Sequence, residues 1–598
     1  MTDYTPPLAD IDFALRHIAD LDELATFEEF GHADRESVTA ILAEHGRFVA
    51  TEVAPTNHIG DQEESHLVDG AVITPEVFKK TYRAYTEAGW SAVPFRQSLG
   101  GGGFPWVVGT ALQDMLNSAN MAFAMAPMLT QGAIHALEAH GDEMLQARYL
   151  ERMVSGEWTS SMDLTEPDAG SDVGNVRTRA VPAADGTYRI TGNKIFITFG
   201  DHDLTENIVH LVLARLPDAP AGTKGISCFV VPKFLVEDDG SLGERNDVWC
   251  VGVEHKMGIR ASPTCALEFG ARSDGAVGWL LGEPHAGMRT MFTMMNAARL
   301  SVGVEGLGLA ERAYQQAVTH AKDRRQGRAV GAPRGERSFI IEHPDVRRML
   351  LTMKSTIEAL RALFYFDASH FDRSSHHPDA DERRRSAELV ELLTPMCKAW
   401  GAEVGSEVAS LAIQVHGGMG YIEETGVAQH YRDARITAIY EGTNGIQALD
   451  LVGRKLGLRG GAVFGDLLAR IRATCAELDE AGEELLAVAT RLRDATDEIE
   501  SAATWLAAQG EESINDALTG ASPFLTMCCR VVGGWLLAVE ALAAHRLDAA
   551  GEGDQAFDAA KVASARFFAD NVLPTVSGLG PSVRSGAAGL FAVPVDQF

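Results

Sequence analysis

The hydrophobic period of this chain changes from that of helices to that of strands and back again. Between Trp158 and about Gly282, short β-branched and aromatic runs are bounded by turn residues, which predicts a small β domain. From about Ser37 to Ser155, and again from about Gly287 to Leu456, apolar residues recur every three or four positions, as in amphipathic helices. The predicted fold class is therefore mainly α with a middle β domain.

Glycines and turn residues suggest where these regions end. Asp185-Gly186 is typical of a hairpin turn, and Thr191-Gly192-Asn193 predicts a corner between two short strands. The glycines of 457–461 mark a boundary before a further helical region. The predicted segments are an N-terminal extension (1–36), an N-terminal helical domain (37–157), a middle β domain (158–285), a C-terminal helical bundle (286–456) and an additional helical domain (457–598).

Composition restricts the partners. A formal net charge of -31 argues against a general affinity for nucleic acid or for an anionic membrane surface. Seven scattered cysteines without a C-x-x-C pair, together with an N-terminus that has no secretory signal, indicate reduced thiols in the cytoplasm. The apolar run Val531–Val539 is too short to span a membrane, and His376-His377 lies in a polar loop, so neither membrane insertion nor a metal site is expected.

The stretch Ile439–Gln447 places one carboxylate, Glu441, in a short turn ahead of an apolar helix. Desolvation disfavours a charged carboxylate, so these apolar surroundings are expected to raise the pKa of Glu441 toward the range useful for removing a C–H proton. The alternative is that Glu441 only caps the following helix electrostatically.

Three other stretches combine unusual residues. Met162–Asp172 is a polar loop with a proline and a glycine, Lys194–Gly200 sets Phe196 and Thr198 on one strand face, and Gln414–Tyr421 ends a helix at a glycine turn. They are also compatible with a solvated loop, a core aromatic and a simple helix cap. The sequence contains no G-x-G-x-x-G after a strand and no Walker motif, so a nucleotide would need another fold.

Taken together in their order and spacing, these stretches resemble the acyl-CoA dehydrogenase family. The matching motifs are T-E-P-x-A-G-S-D (165–172), K-x-F-I-T (194–198), E-x-K-M-G-I-R-x-S (254–262), Arg299, D-R-x-x-G (323–327), Q-x-x-G-G-x-G-Y (414–421) and R-D-A-x-I-x-x-I-Y-E-G-T (432–443). The resemblance covers residues 40 to 456. It implies a helical N-terminal domain, a middle β-barrel and a C-terminal helical bundle that bind FAD between the last two.

The resemblance also implies roles for individual residues. Glu441 is the base that removes the α-proton of an acyl-CoA, while the β-hydride goes to flavin N5. The implied FAD contacts are Met162, Leu164, Thr165, Ser171, Phe196, Thr198, Arg324, Gln414, Gly417, Gly418 and Thr443, of which Arg324, Gln414, Gly417 and Gly418 reach the FAD of a neighbouring subunit. The implied substrate contacts are Ser171, Arg299, Glu441 and Gly442. An electron-transferring flavoprotein is the implied electron acceptor.

About 140 residues follow the part that matches compact family members. This long form most resembles the branch that contains 3-methylmercaptopropionyl-CoA dehydrogenase and related long-chain enzymes, so the expected substrate is that thioester or a fatty acyl-CoA. The tail is expected to favour a homodimer. Two alternatives are a flavin-binding scaffold without turnover and a DNA-associated alkylation-response relative. Against the latter, the region from 456 onward has ten lysines and arginines but twenty aspartates and glutamates.

Overall fold

The computed structural model describes residues 4–331, 335–509 and 513–598. The basic residues of 322–337 predict a loop between two helical segments, and that loop lies partly outside the described residues. The chain divides into two compact units, one formed by the segment up to Ala43 with Pro105–Asp114 and Val302–Phe598, the other by Glu44–Phe104 and Met115–Ser301. The division falls within three helices, and the predicted five-segment division of the sequence stays a prediction.

Helices dominate the structure, as the sequence predicts. They are α1 (Leu8–His17), α2 (Leu21–Leu24), α3 (Arg35–Phe48), α4 (Thr56–Glu63), α5 (Glu76–Glu87), α6 (Trp106–His140), α7 (Glu143–Val154), α8 (Gly287–Asp323), α9 (Pro344–His376), α10 (Ala380–His416), α11 (Val427–Ala434), α12 (Asn444–Asp450), α13 (Ala462–Ala481), α14 (Glu483–Ala507), α15 (Ile514–Thr519), α16 (Ala521–Ala550), α17 (Gln555–Asn571) and α18 (Pro574–Val583). The polar residues of 373–381 predict a loop, but the observed loop is shorter, because α9 continues to His376. In the last turn of α9, Arg373 pairs with Glu23 and donates to the Ala19 carbonyl.

The strands gather almost entirely between residues 159 and 281. They are β1 (His66–Val68), β2 (Ala71–Ile73), β3 (Thr159–Asp163), β4 (Arg179–Pro182), β5 (Tyr188–Thr198), β6 (Ile208–Arg215), β7 (Ile226–Pro232), β8 (Phe234–Val236), β9 (Leu242–Arg245), β10 (Val248–Val253), β11 (Thr264–Phe269) and β12 (Ala276–Leu281). The main sheet has the order β10-β11-β5-β12-β7-β6-β3, and β4 pairs both β5 and β6. Strands β5, β12, β7, β6 and β4 thereby form a closed ring, which confirms the predicted barrel.

The hairpin at Asp185-Gly186 is confirmed, since β4 and β5 pair antiparallel across it and Gly186 has a φ of 82°. The corner predicted at Thr191-Gly192-Asn193 is wrong, because β5 runs unbroken through it. A Cβ atom on Gly192 would lie 2.8 Å from the Cα of Thr178. This glycine therefore admits a close neighbouring backbone instead of turning the chain.

In the helical bundle, α8 and α10 cross in backbone contact. A Cβ atom on Gly303 would lie 2.6 Å from the Cys397 carbonyl oxygen, and one on Gly401 would lie 2.6 Å from the Gly303 Cα. Glycines at a helix crossing remove the side chains that would otherwise hold the two axes apart. The two helices are consequently held in a fixed register at this point.

The C-terminal extension packs against this bundle through a buried charge cluster. Lys561 on α17 lies 2.8 Å from Asp10 and 3.2 Å from Glu540, with Glu358 at 3.5 Å, and we call these four residues the Lys561 cluster.

Among the described residues one helix, α16, is long and apolar enough to cross a membrane by length and composition. The sequence did not indicate such a helix, because the apolar run Val531–Val539 within α16 is by itself too short to span a membrane. However, 83% of the most apolar window of α16 is buried inside the protein.

Candidate active site

Glu441 lies in a tight turn between α11 and α12. Its φ is 56°, a left-handed conformation that non-glycine residues seldom adopt, and Gly442 follows with a φ of 84°. Such a conformation persists only where surrounding contacts enforce it, and it is often found at functional sites. We call Tyr440–Thr443 the base turn.

Two side chains hold the base turn in place. The buried Gln447 side chain donates to the carbonyl oxygens of Glu441 and Gly442, at 3.3 Å each. Thr443 is the N-cap of α12, and its hydroxyl accepts from the Ile446 amide at 3.2 Å. The residue that caps α12 by a hydrogen bond is therefore Thr443, and the electrostatic capping role of Glu441 stays an untested alternative. In this bond the Thr443 hydroxyl acts only as an acceptor, so its hydrogen can still be donated to a phosphate group. The predicted phosphate contact of Thr443 stays a prediction.

A second carboxyl group lies beside the base turn and was missed by sequence reasoning. The Tyr440 hydroxyl donates a short hydrogen bond to Oε2 of Glu305, which is fully buried on α8. Burial raises the pKa of Glu305 to about 8, the Tyr440 hydrogen bond opposes this rise, and the charge of Glu441 adds to it. The sequence signal was a lone glutamate between Gly303 and Gly306 in the otherwise uncharged stretch Leu300–Ala310.

In the β domain, a buried ion pair fixes the loop that follows β3. Lys194 donates to Glu166 at 2.8 Å and to the Leu164 carbonyl at 2.9 Å, while Ile195 donates its amide to the Thr165 carbonyl at 2.9 Å. Burial alone would raise the pKa of Glu166, but the Lys194 charge and hydrogen bonds lower it. The loop carrying Leu164 and Thr165 is thus attached to β5.

Glu166 also closes the far end of this loop. Its carboxylate accepts from the Arg177 amide at 2.6 Å and from the amide and hydroxyl of Thr178 at 3.1 and 2.6 Å. Four donors therefore converge on one buried carboxylate. From the sequence, Pro167 predicts only an extended backbone at Glu166. The role of Glu166 as an anchor became visible only with its distant partner Lys194.

Phe196 has an unusual conformation for a strand residue. Its φ is 59°, and the pairing of β5 with β11 shifts register at this point. The side chain is 58% exposed, Thr198 is partly exposed, and Ile197 between them is buried. The two predicted flavin contacts therefore lie on the side away from Ile197, although a bulge interrupts the simple alternation on which the prediction relied.

Three buried polar residues on the paired strands β3 and β6 interact with one another. The Ser161 hydroxyl donates to Asp163 at 2.7 Å and lies 2.7 Å from Nδ1 of His210. Burial raises the pKa of Asp163 to about 7 and lowers the pKa of His210 to about 3. Asp163 is therefore about half ionised at pH 7, whereas His210 is neutral there.

Ser171 is exposed, and the same unit contains a cavity of about 670 Å³ that Arg177, Arg179 and Arg215 line. The guanidinium of Arg215 is bound to backbone carbonyls, including those of Val176 and Pro220. Arg177 forms an exposed ion pair with Asp168. Arg177 and Arg179 are exposed cations that line this cavity.

The remaining predicted residues lie within α8 or near the ends of α8 and α10. Arg299 is buried on α8, 5.6 Å from the centre of the Phe292 ring. Arg324 follows α8 and is exposed, as are Gln414, Gly417 and Gly418 at the end of α10. His320 and His416 stack at 4.4 Å, which brings these two helix ends together. Neither glycine would bring a Cβ within 4 Å of another atom, so the surface there is open.

The structure thus collects the predicted residues into two groups. The first lies in the unit that contains the β domain and consists of Met162, Leu164, Thr165, Ser171, Phe196, Thr198 and Arg299. The second lies in the helical unit and consists of Arg324, Gln414, Gly417, Gly418, Glu441, Gly442 and Thr443. The hydroxyl groups and the exposed aromatic ring of the first group are suited to a flat heterocycle that carries hydrogen-bond acceptors.

Comparison with known families and proteins gives consistent matches along the chain. Residues 35–157 match the N-terminal domain of acyl-CoA dehydrogenase, residues 161–271 its middle domain and residues 285–456 its C-terminal domain. Residues 467–594 match a domain described as acetyl-CoA dehydrogenase C-terminal like.

Two relatives match nearly end to end. The chain is 45% identical to 3-methylmercaptopropionyl-CoA dehydrogenase of Ruegeria pomeroyi, over 95% of this chain and 96% of that protein. It is 36% identical to a butyryl-CoA dehydrogenase of Syntrophomonas wolfei, over 98% of each. Among solved structures, Caenorhabditis elegans ACDH-11 in complex with C11-CoA has a TM-score of 0.75 at 22% identity, covering 96% of this chain and 93% of that one, and shows the shared fold.

Proposed function

This chain belongs to the acyl-CoA dehydrogenase family, and from that premise we propose that it desaturates an acyl-CoA thioester with Glu441 as the base. Members of the family are FAD-dependent oxidoreductases, and this chain is one of them. The single observation that supports the role of Glu441 most strongly is the strained base turn. Its left-handed carboxylate residue is held by Gln447, and the N-cap residue of α12 is Thr443.

In the proposed reaction, the Glu441 carboxylate takes the α-proton of the thioester, which leaves negative charge on the thioester oxygen. The backbone amide of Glu441 is the proposed donor to that oxygen. Bound FAD supplies the hydride acceptor for the β-carbon. The residues of the β-domain group are proposed to bind its ring system, with Thr165 and Thr198 as hydroxyl donors and Phe196 against the ring face.

The CoA moiety carries phosphate groups, and the cavity lined by Arg177, Arg179 and Arg215 supports its binding. Arg177 and Arg179 are exposed there, and guanidinium groups bind phosphate through paired, charge-assisted hydrogen bonds. Replacing both with methionine is expected to raise the KM for acyl-CoA at least tenfold with a smaller change in kcat, because ground-state binding is lost.

The proposed acyl group is 3-methylmercaptopropionyl or a short to medium linear chain. The support is the 45% identity to an enzyme named for the first and the 36% identity to one named for butyryl-CoA, each over nearly the whole chain. We further propose a cytoplasmic homodimer that passes electrons to an electron-transferring flavoprotein. A sedimentation measurement that gives a tetramer would overturn the dimer.

The test of this function is anaerobic mixing of the purified yellow holoenzyme with butyryl-, octanoyl-, palmitoyl- and 3-methylmercaptopropionyl-CoA. Bleaching of the visible flavin band is expected, and the fastest thioester identifies the substrate. Glu441→Gln should retain the flavin spectrum but reduce the bleaching rate at least 100-fold, since a general base contributes roughly that much. Bleaching at the wild-type rate by Glu441→Gln would refute the assignment of the base.

The DNA-associated alternative has less support. The extension after residue 456 carries twice as many acidic as basic residues, and a phosphate-binding module requires the opposite balance. If the holoenzyme bleaches with none of the four thioesters, the scaffold alternative replaces the dehydrogenase proposal. A filter-binding assay with duplex DNA at low salt would then decide whether the extension binds nucleic acid.

A further inference from the structure

The base turn is in contact with a residue whose position is fixed independently of that turn. Glu305 lies on α8 between Gly303 and Gly306, where α8 crosses α10 in backbone contact. A Cβ on Gly401 would lie 2.6 Å from the Gly303 Cα, so the crossing leaves no room for movement of the two helices toward each other. The carboxyl group of Glu305 therefore projects from a rigid part of the bundle.

This carboxyl group has only part of its hydrogen-bonding capacity used. Oε2 accepts the Tyr440 hydroxyl, and Tyr440 immediately precedes Glu441. Oε1 has no hydrogen-bond partner among the described residues, although the side chain is fully buried. Buried polar atoms are nearly always paired, so an unpaired one calls for an explanation, and a functional role is one such explanation.

Three charged or titratable groups face Glu305. Tyr440 and Glu441 belong to the base turn, and Lys398 lies on α10, where it donates to the Asn444 side chain at 3.2 Å. Burial is the main reason that the pKa of Glu305 is raised to about 8. The negative charge of Glu441 raises this pKa further, and Lys398 lowers it.

We propose that Glu305 is a positioning residue for Glu441 that orients the base turn through Tyr440 and whose ionisation strengthens the base. The inference rests on the proposed function, in which Glu441 takes the α-proton. Glu305 exchanges no proton with the substrate in that step, because the proton moves only from the α-carbon to Glu441. An ionised Glu305 repels the negative charge on the Glu441 carboxylate. Proton transfer from the α-carbon to Glu441 neutralises this carboxylate and places the negative charge on the substrate. Ionisation of Glu305 therefore accelerates the proton transfer.

The first test is the rate of flavin bleaching by the fastest acyl-CoA, measured by stopped flow on both sides of pH 8. In the wild-type holoenzyme the rate constant is expected to rise about fivefold as Glu305 ionises. Glu305→Gln keeps an acceptor for Tyr440 but cannot ionise, so this rise should disappear. Tyr440→Phe removes the hydrogen bond and should lower the rate roughly tenfold at every pH, the equivalent of one well-formed hydrogen bond.

Asp367→Asn is the matched control. Asp367 is another buried carboxyl group of the same bundle, burial raises its pKa to about 8 as well, and Glu441 does not contribute to that shift. The rise near pH 8 should therefore persist in Asp367→Asn. A rise that persists in Glu305→Gln, or that is lost in Asp367→Asn, would overturn the inference.

A second measurement needs no turnover and separates this inference from the proposed function. Infrared difference spectra across pH 8 report the loss of protonated carboxyl groups, and the component missing in Glu305→Gln belongs to Glu305. In Glu441→Gln this component should titrate at lower pH, because the neighbouring charge is gone. An unchanged titration would refute the coupling even if every thioester bleaches the flavin. A shifted titration in a protein that bleaches with no thioester would refute only the proposed function.

Discussion

Replacement of Lys194 by methionine tests how the β-domain group is held together. The ammonium group is fully buried and reaches both Glu166, at 2.8 Å, and the Leu164 carbonyl, at 2.9 Å. Methionine has a similar volume but no charge. The variant therefore leaves the Glu166 carboxylate buried with only the neutral donors of Arg177 and Thr178.

Removing one partner of a buried ion pair costs about 3–5 kcal/mol, because the other charge stays desolvated. For a domain of this size, each kcal/mol lowers the melting temperature by roughly 2–4 °C, so a decrease of roughly 6–20 °C is expected. The contribution of Glu166 to the free energy of unfolding also depends on pH. The pKa of Glu166 is lowered in the folded protein, so its contribution is present above its unfolded value of 4.5 and is lost on acidification.

The assay is differential scanning fluorimetry of the holoprotein, with flavin fluorescence as a second signal for FAD release. Lys79→Met is the matched control, since Lys79 pairs with Asp203 at 2.7 Å in the same unit but both side chains are more than a quarter exposed. That variant should cost about 1 kcal/mol or less. The double variant Lys194→Met with Glu166→Gln should recover most of the loss, because no charge then remains buried. The reasoning is refuted if Lys194→Met melts no earlier than Lys79→Met.

Three further predictions concern stability. Gly401→Ala places a methyl group against the backbone of α8 and should lower the free energy of unfolding, measured by chemical denaturation, by about 1–3 kcal/mol. Gly465→Ala, on α13 with open space around it, should raise the free energy of unfolding by about 0.5–1 kcal/mol. Equal effects of the two variants would contradict the close helix crossing. The pKa of Asp163 is raised from 3.8 to about 7, so it stabilises the fold below pH 3.8 and this contribution is lost as pH rises to about 7; melting curves of Asp163→Asn should lack that slope. Lys561→Met leaves the three carboxylates of the Lys561 cluster facing one another, so it should lower the melting temperature more at pH 8 than at pH 5. A decrease in melting temperature that does not depend on pH would argue against charge repulsion.

Local patterns were sufficient for the order of helical and β regions, for the hairpin at Gly186 and for the turn that carries Glu441. Hydrophobic period and turn chemistry act over a few neighbouring residues, so a sequence reports them directly. The motifs that resemble one enzyme family added the candidate base and the cofactor contacts. These determined the family and the reaction class, and the comparisons agree with both.

What the sequence alone did not provide depends on contacts between residues far apart in the chain. Gly192 looked like a corner until Thr178 was seen against it, and Phe196 looked like a regular strand residue until the pairing with β11 shifted its register. Glu305 precedes Tyr440 by 135 positions and became part of the site only when α8 and the base turn met. Burial, charge coupling and backbone strain arise from such packing, and that is why only the tertiary structure decided how the base is held.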